Sequence, residues 1–145
     1  SGPHPLHLLN EIEMERRATD VLRELSVKIP NVRSQIATLS GGQRQSVAVA
    51  RSVMWNSKVV LLDEPTAALG VEQTYQVKEL IKRLRSRGLG VVVISHNLAD
   101  VFEVSNRVVV MRLGRRVATF ETANSTAQEV VGAITGATAS VAVAG

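Results

Sequence analysis

The stretch Val59-Val60-Leu61-Leu62-Asp63-Glu64-Pro65-Thr66 decides the fold class. An apolar, strand-sized run ends in two carboxylates, and Pro65 forbids the strand from going further. Two more runs of the same kind stand at Val91–Ile94 and Val108–Met111. Runs that are apolar at every position, rather than at alternate ones, read as strands covered on both faces, as in the parallel sheets of α/β proteins. Between the first two runs, Val77, Leu80, Ile81 and Leu84 recur at helical spacing within a segment from about Val71 to Arg87. Gly88 follows where a helix C-terminal glycine belongs. Strand, helix and strand predict a right-handed crossover, and the fold class is α/β.

Upstream, Pro3 and Pro5 predict an irregular lead-in over residues 1–10. Met14, Ala18, Val21, Leu22 and Leu25 predict a helix with one apolar stripe from Glu11 to about Val27, ended by Pro30 and Asn31. A second helix is placed from Gly41 to about Asn56, and Trp55 near its end reads as a packing residue. Downstream, a short helix is expected around Leu98–Val104. A hairpin Arg107–Arg112, Leu113-Gly114, Arg115–Phe120 follows, and then a last helix over Ser125–Ile134 opened by a Ser125/Gln128 capping box. The tail from Thr135 is expected to fray.

The chain has 145 residues, enough for one domain. With 45% hydrophobic and 21% charged residues it is no disordered polar tract, and with 3% aromatics its core is built from Val, Leu, Ile and Ala. The absence of cysteine excludes disulfides and thiolate metal sites. No apolar run approaches a membrane span, and no secretory signal is visible. A net charge of +4 tolerates anionic partners without requiring them. Cations gather at Lys82, Arg83, Arg85 and Arg87, which suits a helix C-terminus, and again at Arg112, Arg115 and Arg116. With so few aromatics to stack bases, nucleic acid is not the expected partner. His4 and His7 read as unstructured polar residues rather than metal ligands.

Three constellations carry chemistry. In Leu39-Ser40-Gly41-Gly42-Gln43, Ser40 is a good N-cap and Gln43 completes a capping box. The glycine pair leaves backbone N–H groups uncovered at the positive end of the helix, where a phosphate can approach. The same residues also read as a well-capped helix and nothing more. At the end of the Val59–Leu62 run, Asp63 can hold Mg²⁺ directly or through water and Glu64 can polarise an attacking water. The alternative is a solvated turn whose acids stop the strand. In open α/β sheets ligands bind beyond the carboxyl ends of the strands, which favours the chemical reading. His96, just after the Val91–Ile94 run, is expected at the same edge and within reach of a shared phosphate. Alone it would read as a surface histidine.

In order and spacing the three resemble the ATP-binding cassette (ABC) family of ATPases: Leu39–Gln43 its signature motif, Val59–Pro65 its Walker B strand, and His96 its switch histidine. The resemblance runs from about Glu11 to Gly136. It implies that Asp63 helps hold Mg²⁺, through water, and that Glu64 is the general base. His96 would contact the γ-phosphate of ATP, and Ser40, Gly41 and Gly42 would press on the γ-phosphate held by an opposite subunit. Ala68, Leu69 and Gly70 match the family's D-loop, with Gly70 where much of the family has Asp. The Gln43-Arg44-Gln45 ending looks like the transporter branch. The stretches Asp63–Glu72, His96-Asn97 and Val130–Gly136 look like the simple-sugar importers of the ribose, xylose and fructose type.

The family's phosphate cradle, Gly-x-x-x-x-Gly-Lys-Ser/Thr, is absent, since no Gly-Lys pair occurs. The resemblance therefore implies the C-terminal half of a P-loop NTPase-like (RecA-like) ATPase domain. Residues 11–56 would close its helical subdomain, 57–134 would be half of its core, and 135–145 would be a flexible tail. In the family's sheet a strand lies between those matching Val91–Ile94 and Val108–Met111, so unpaired edges and a marginal or self-associating chain are expected. The implied partners are a second nucleotide-binding subunit in a head-to-tail dimer, permease subunits and, indirectly, a substrate-binding protein. The implied location is the cytoplasmic face of the cell membrane. Two rivals are a non-transport ATPase of the same family acting on nucleic acid or ribosomes, and a non-enzymatic chain that only pairs with a full-length subunit.

Overall fold

The computed structural model describes residues 5–137, and side chains over 11–35 and 37–137. The element order is α1 (Pro5–Glu24), α2 (Gly41–Met54), β1 (Val59–Asp63), α3 (Val71–Ser86), β2 (Gly90–Ile94), α4 (Leu98–Val104), β3 (Arg107–Arg112), β4 (Arg115–Glu121) and α5 (Ala127–Thr135). Short 3₁₀ turns lie at Ile36–Thr38 and Thr122–Asn124. The parallel strands and the C-terminal hairpin and helix make the fold α/β, as expected. Two compact units divide after Ile94.

In the first unit α1 begins at Pro5, so residues 5–10 are helical rather than an irregular lead-in. The first helical position suits proline, because its missing N–H would have no partner there in any case. The helix also ends sooner than Pro30 would require. Ser26 is left-handed at φ 54°; its N–H reaches the Arg23 carbonyl at 3.0 Å and that of Val27 reaches Leu22 at 2.8 Å. Those two bonds close a Schellman cap around a residue that is not glycine. Leu22 and Leu25 are buried as the stripe predicts, whereas Met14 is 58% exposed. Arg33 donates to the Glu15 carboxylate through Nε at 3.0 Å and a terminal nitrogen at 2.7 Å, pinning the loop to the helix and holding that carboxyl below its ordinary pKa.

Strands β1 and β2 pair in parallel, with Val59 opposite Gly90 and Asp63 opposite Ile94. Helix α3 buries the predicted stripe of Val77, Leu80, Ile81 and Leu84 and packs on β2 and on α2. Its end is a second Schellman cap at Gly88, with Leu89 N–H on the Leu84 carbonyl at 3.2 Å. The double-sided cover expected of the apolar runs is not found within this unit. Val60 and Leu62 are buried, but Leu61 is 66% exposed and Val59, Val92 and Ile94 share its exposure. One layer of helix covers one face of a sheet, and among the described residues of this unit nothing covers the other. Trp55 is 76% exposed and is not the packing residue it resembles.

The second unit folds α4, the β3–β4 hairpin and α5 around Val108, Val110, Val130 and Ala133, with Val101, Phe102 and Phe120 against them. Leu113 and Gly114 both take positive φ, 50° and 75°, as a two-residue type I′ turn demands. The ladder slips once, between Val110 and Met111, leaving Val117 as the extra residue of a bulge. Helix α5 is capped one residue later than expected: Thr126 and Glu129, not Ser125 and Gln128, form the box, with the Thr126 N–H on the Glu129 carboxylate at 2.7 Å. The acid accepts more strongly than an amide, which favours the shifted register. The two strand pairs belong to separate two-stranded sheets. His4 and most of the expected tail lie outside the described residues, and His7 falls within α1.

Candidate functional site

Two turns of the first unit hold nearly all the candidate residues. The first opens α2. Ser40, in extended backbone, accepts the Gln43 N–H on Oγ at 3.1 Å, and the Gln43 side-chain oxygen accepts the Ser40 N–H at 2.9 Å. This is the reciprocal box expected of Ser-x-x-Gln, and it satisfies two helix-end donors within four residues. The Gln43 amide goes on to donate to the Lys28 carbonyl at 3.3 Å, tying the box to the chain after α1. Leu39 is buried and anchors the turn; Ser40 itself is exposed.

The glycine pair has a use that sequence alone does not reveal. A Cβ on Gly42 would stand 3.0 Å from the Gln73 Cβ and 3.2 Å from its Cγ; one on Gly41 would stand 3.0 Å from Leu69 Cδ2. Gly42 is buried. The pair therefore lets α2 close on the start of α3, in addition to leaving N–H groups unshielded at the helix end.

The second turn leaves β1. Asp63 is the last ladder residue and is exposed. Glu64, half-buried, donates its N–H to the Ile94 carbonyl at 2.7 Å and then turns left-handed at φ 48°. A left-handed residue that is not glycine is uncommon and strained, and such residues gather at functional sites. Pro65 is buried behind it. The Ala67 N–H returns to the Glu64 carbonyl at 3.2 Å and the Leu69 N–H to Thr66 at 3.3 Å, with Ala68 also left-handed at φ 60°. Gly70 caps α3 in extended backbone without any side-chain bond, and the space around it is empty of a Cβ contact.

These turns meet through Leu69 and Gln73, so Leu39–Gln43 and the Asp63–Gly70 segment share one compact unit. An open cleft of about 530 Å³ lies between the Ser40–Gln43 turn and α3, lined in part by Lys28, Ser40, Gln43, Gln73 and Arg83, and no residue of the Asp63–Gly70 turn lines it. His96 is exposed at the start of the second unit, between β2 and α4, where Asn97 caps α4 by accepting the Asp100 N–H at 3.2 Å. Gln73 is the residue that motif reasoning misses; the adjacent glycines at 41 and 42, which ask what comes so close, are the only hint.

Among the described residues no three His, Asp or Glu side chains gather into a metal cage. The donors at the second turn, an exposed Asp63 next to a half-buried Glu64, suit a Mg²⁺ held by one carboxylate together with waters and phosphate oxygens. No described helix is long and apolar enough to cross a membrane.

The family model described as ABC transporter matches residues 3–67. The fructose import ATP-binding protein of Rhizobium meliloti is 48% identical over 130 residues, covering 89% of this chain and 50% of that protein. The xylose/arabinose import ATP-binding protein of Sulfolobus acidocaldarius is 43% identical over 107 residues, covering 74% of this chain and 43% of that protein. A dimeric ATP-binding cassette solved in a post-hydrolysis state with ADP and Pi superposes with a TM-score of 0.61 at 28% identity, over 74% of this chain and 46% of that one. The chain thus spans about half the length of these relatives, and by sequence and fold it belongs to the ABC transporter family of ATP-binding proteins.

Proposed function

We propose that this chain works as part of the ATPase subunit of a membrane importer for a simple sugar. The observation that carries the reading is the direct packing of the Ser40–Gln43 turn against the segment that leaves the Asp63–Glu64 strand end. An ATPase that hydrolyses nucleotide between two subunits needs one surface to press on a neighbour's phosphate and another to activate water on its own, and the two turns supply one each. The sugar-import names of the relatives support the cargo class.

Bound Mg·ATP supplies the scissile phosphoryl group and the cation that neutralises its charge. Asp63, at the end of β1, would help hold that cation through water. Glu64 accepts a proton from the attacking water, and its backbone bond to Ile94 holds the carboxylate's base in place. Ser40 and the N–H groups of Gly41 and Gly42 meet the γ-phosphate held by the opposite subunit of a head-to-tail pair, where the helix dipole favours negative charge. His96 contacts the γ-phosphate on its own side. Residues 11–56 act as the end of a helical subdomain and 57–134 as half of the ATPase core. The partners are a second ATP-binding subunit, the permease and, through it, a sugar-binding protein, at the cytoplasmic face of the membrane.

The test joins the full 145-residue chain to the half of the Rhizobium meliloti relative that it does not span, and measures Mg·ATP hydrolysis. Turnover is expected, with Glu64→Gln lowering kcat by about 100-fold or more while nucleotide still binds. A folded, nucleotide-binding hybrid whose turnover ignores Glu64 would overturn the assignment of the base.

A further inference from the structure

The geometry points to Gln73, seated with Leu69 against the glycine pair, as a positioning residue that ties the Ser40–Gln43 turn to the Asp63–Glu64 turn. This rests on the function proposed above and adds a residue and a route to it. From Glu64 the chain is held at each step by its own backbone: Ala67 N–H to Glu64 at 3.2 Å, Leu69 N–H to Thr66 at 3.3 Å, and Thr74 N–H to Gly70 at 2.9 Å in the first turn of α3. At the end of this stiff path Gln73 presents Cα, Cβ and Cγ at 3.4, 3.0 and 3.2 Å from where a Gly42 side chain would start, and its Oε1 lies 3.6 Å from the corresponding point on Gly41. Leu69 Cδ2 stands 3.0 Å from that same point on Gly41. A shift of the carboxylate turn that carries α3 with it therefore pushes or releases the first residues of α2.

The route needs no side chain at position 70. Gly70 makes no side-chain cap bond and has nothing within 4 Å of a would-be Cβ. Communication between the two turns runs past it, through the packing of Leu69 and Gln73. Close packing transmits displacement because interiors have little free volume, so a small movement on one side cannot be absorbed by slack on the other. The consequence is that one chain couples the site where it activates water to the surface it offers its neighbour.

The test has two readouts. In the ATP-hydrolysing hybrid, Gln73→Gly is expected to lower kcat about tenfold with KM for Mg·ATP unchanged within about twofold, because a misplaced turn weakens contacts made in the transition state. Gln73→Met, which keeps Cβ and Cγ, retains the rate. Gly42→Ala also loses rate, and Gly42→Ala with Gln73→Gly recovers it, since the missing atoms make room for the added one. Gln76→Gly, with the same helix penalty on an exposed position, is the control and leaves kcat alone.

In the 145-residue chain itself, without nucleotide, Gln73→Gly is expected to speed amide exchange at Gln43 and Arg44 about tenfold while Gln76→Gly does not. Equal effects of the two glycine substitutions on exchange, or no recovery in the double variant, overturn the inference. A hybrid that is inactive or indifferent to Glu64 overturns the proposed function instead, and the exchange experiment still decides whether Gln73 places the turn.

Discussion

The Ser40–Gln43 turn and the Asp63–Gly70 turn sit side by side yet are built on opposite principles. The first satisfies itself: within four residues, side chain and backbone exchange two hydrogen bonds, and the remaining contact to Lys28 is an addition. The second has internal backbone bonds of its own, but its strained first residue is fixed from the neighbouring strand. Glu64 adopts φ 48° and Ala68 φ 60°, and what keeps Glu64 there is a 2.7 Å bond to Ile94 on the neighbouring strand. A turn that presents backbone N–H groups gains from being rigid on its own account. A turn that aims a carboxylate gains from leaving the strand abruptly, and the cost of that bend is carried by the sheet. Gln73 and Leu69 join the two, so the strained turn leans on the self-sufficient one.

That contrast can be broken at its seam first. Gly42→Ala places a methyl 3.0 Å from the Gln73 Cβ, and since Gln73 Cα is also within 3.4 Å the overlap cannot be relieved by a rotamer change alone. A loss of about 1–3 kcal/mol is expected in urea unfolding, typical of an overpacked contact. Removing the self-sufficiency of the first turn is next. Ser40→Ala is expected to lose about 1 kcal/mol and Ser40→Asp to keep most of it, because an aspartate oxygen also accepts the Gln43 N–H. Failure of that order would mean that the box does not hold the turn.

The strained turn predicts the opposite sign. Glu64→Gly removes the Cβ penalty at φ 48° and is expected to raise stability by about 0.5–1 kcal/mol, while abolishing the proposed base. Glu64→Ala, which keeps a Cβ, gives no such gain, and the pair of melting curves separates strain from loss of charge. The smallest effect is at Gly70, where an Asp can cap α3 in space that is already empty. Gly70→Asp is expected to add a few tenths of a kcal/mol.

Much of this molecule is legible in the residues. The spacing of Val77, Leu80, Ile81 and Leu84 names the buried stripe of α3, Ser40 and Gln43 name their own hydrogen bonds, and Leu113-Gly114 names its turn, because each depends on neighbours within one or two helical turns or a two-residue loop. Errors arise where two local signals compete or where cover is decided at a distance. Ser125/Gln128 and Thr126/Glu129 are both admissible boxes one residue apart, and the stronger acceptor at Glu129 takes the cap. Val59, Leu61, Val92 and Ile94 are as apolar as the buried Val60 and Leu62, and composition cannot say which face of a two-stranded sheet a helix will cover. Pro5 looks like a break and is instead a start, since the same missing N–H that disrupts a helix interior is harmless at its first position.

The sequence by itself determined the α/β class, the order of elements, the capped turn at Ser40 and the carboxylate-ended strand, together with the family to which those motifs belong. All of these rest on interactions between residues near in the chain, or on patterns that recur at fixed spacing. Only the tertiary structure decided that Glu64 turns left-handed under a bond from Ile94, that Gly42 is a contact with Gln73 as well as an opening for phosphate, and that the compact units part after Ile94. These follow from atoms brought together across many residues, where excluded volume and the pairing of backbone groups choose among conformations that local chemistry leaves equally open.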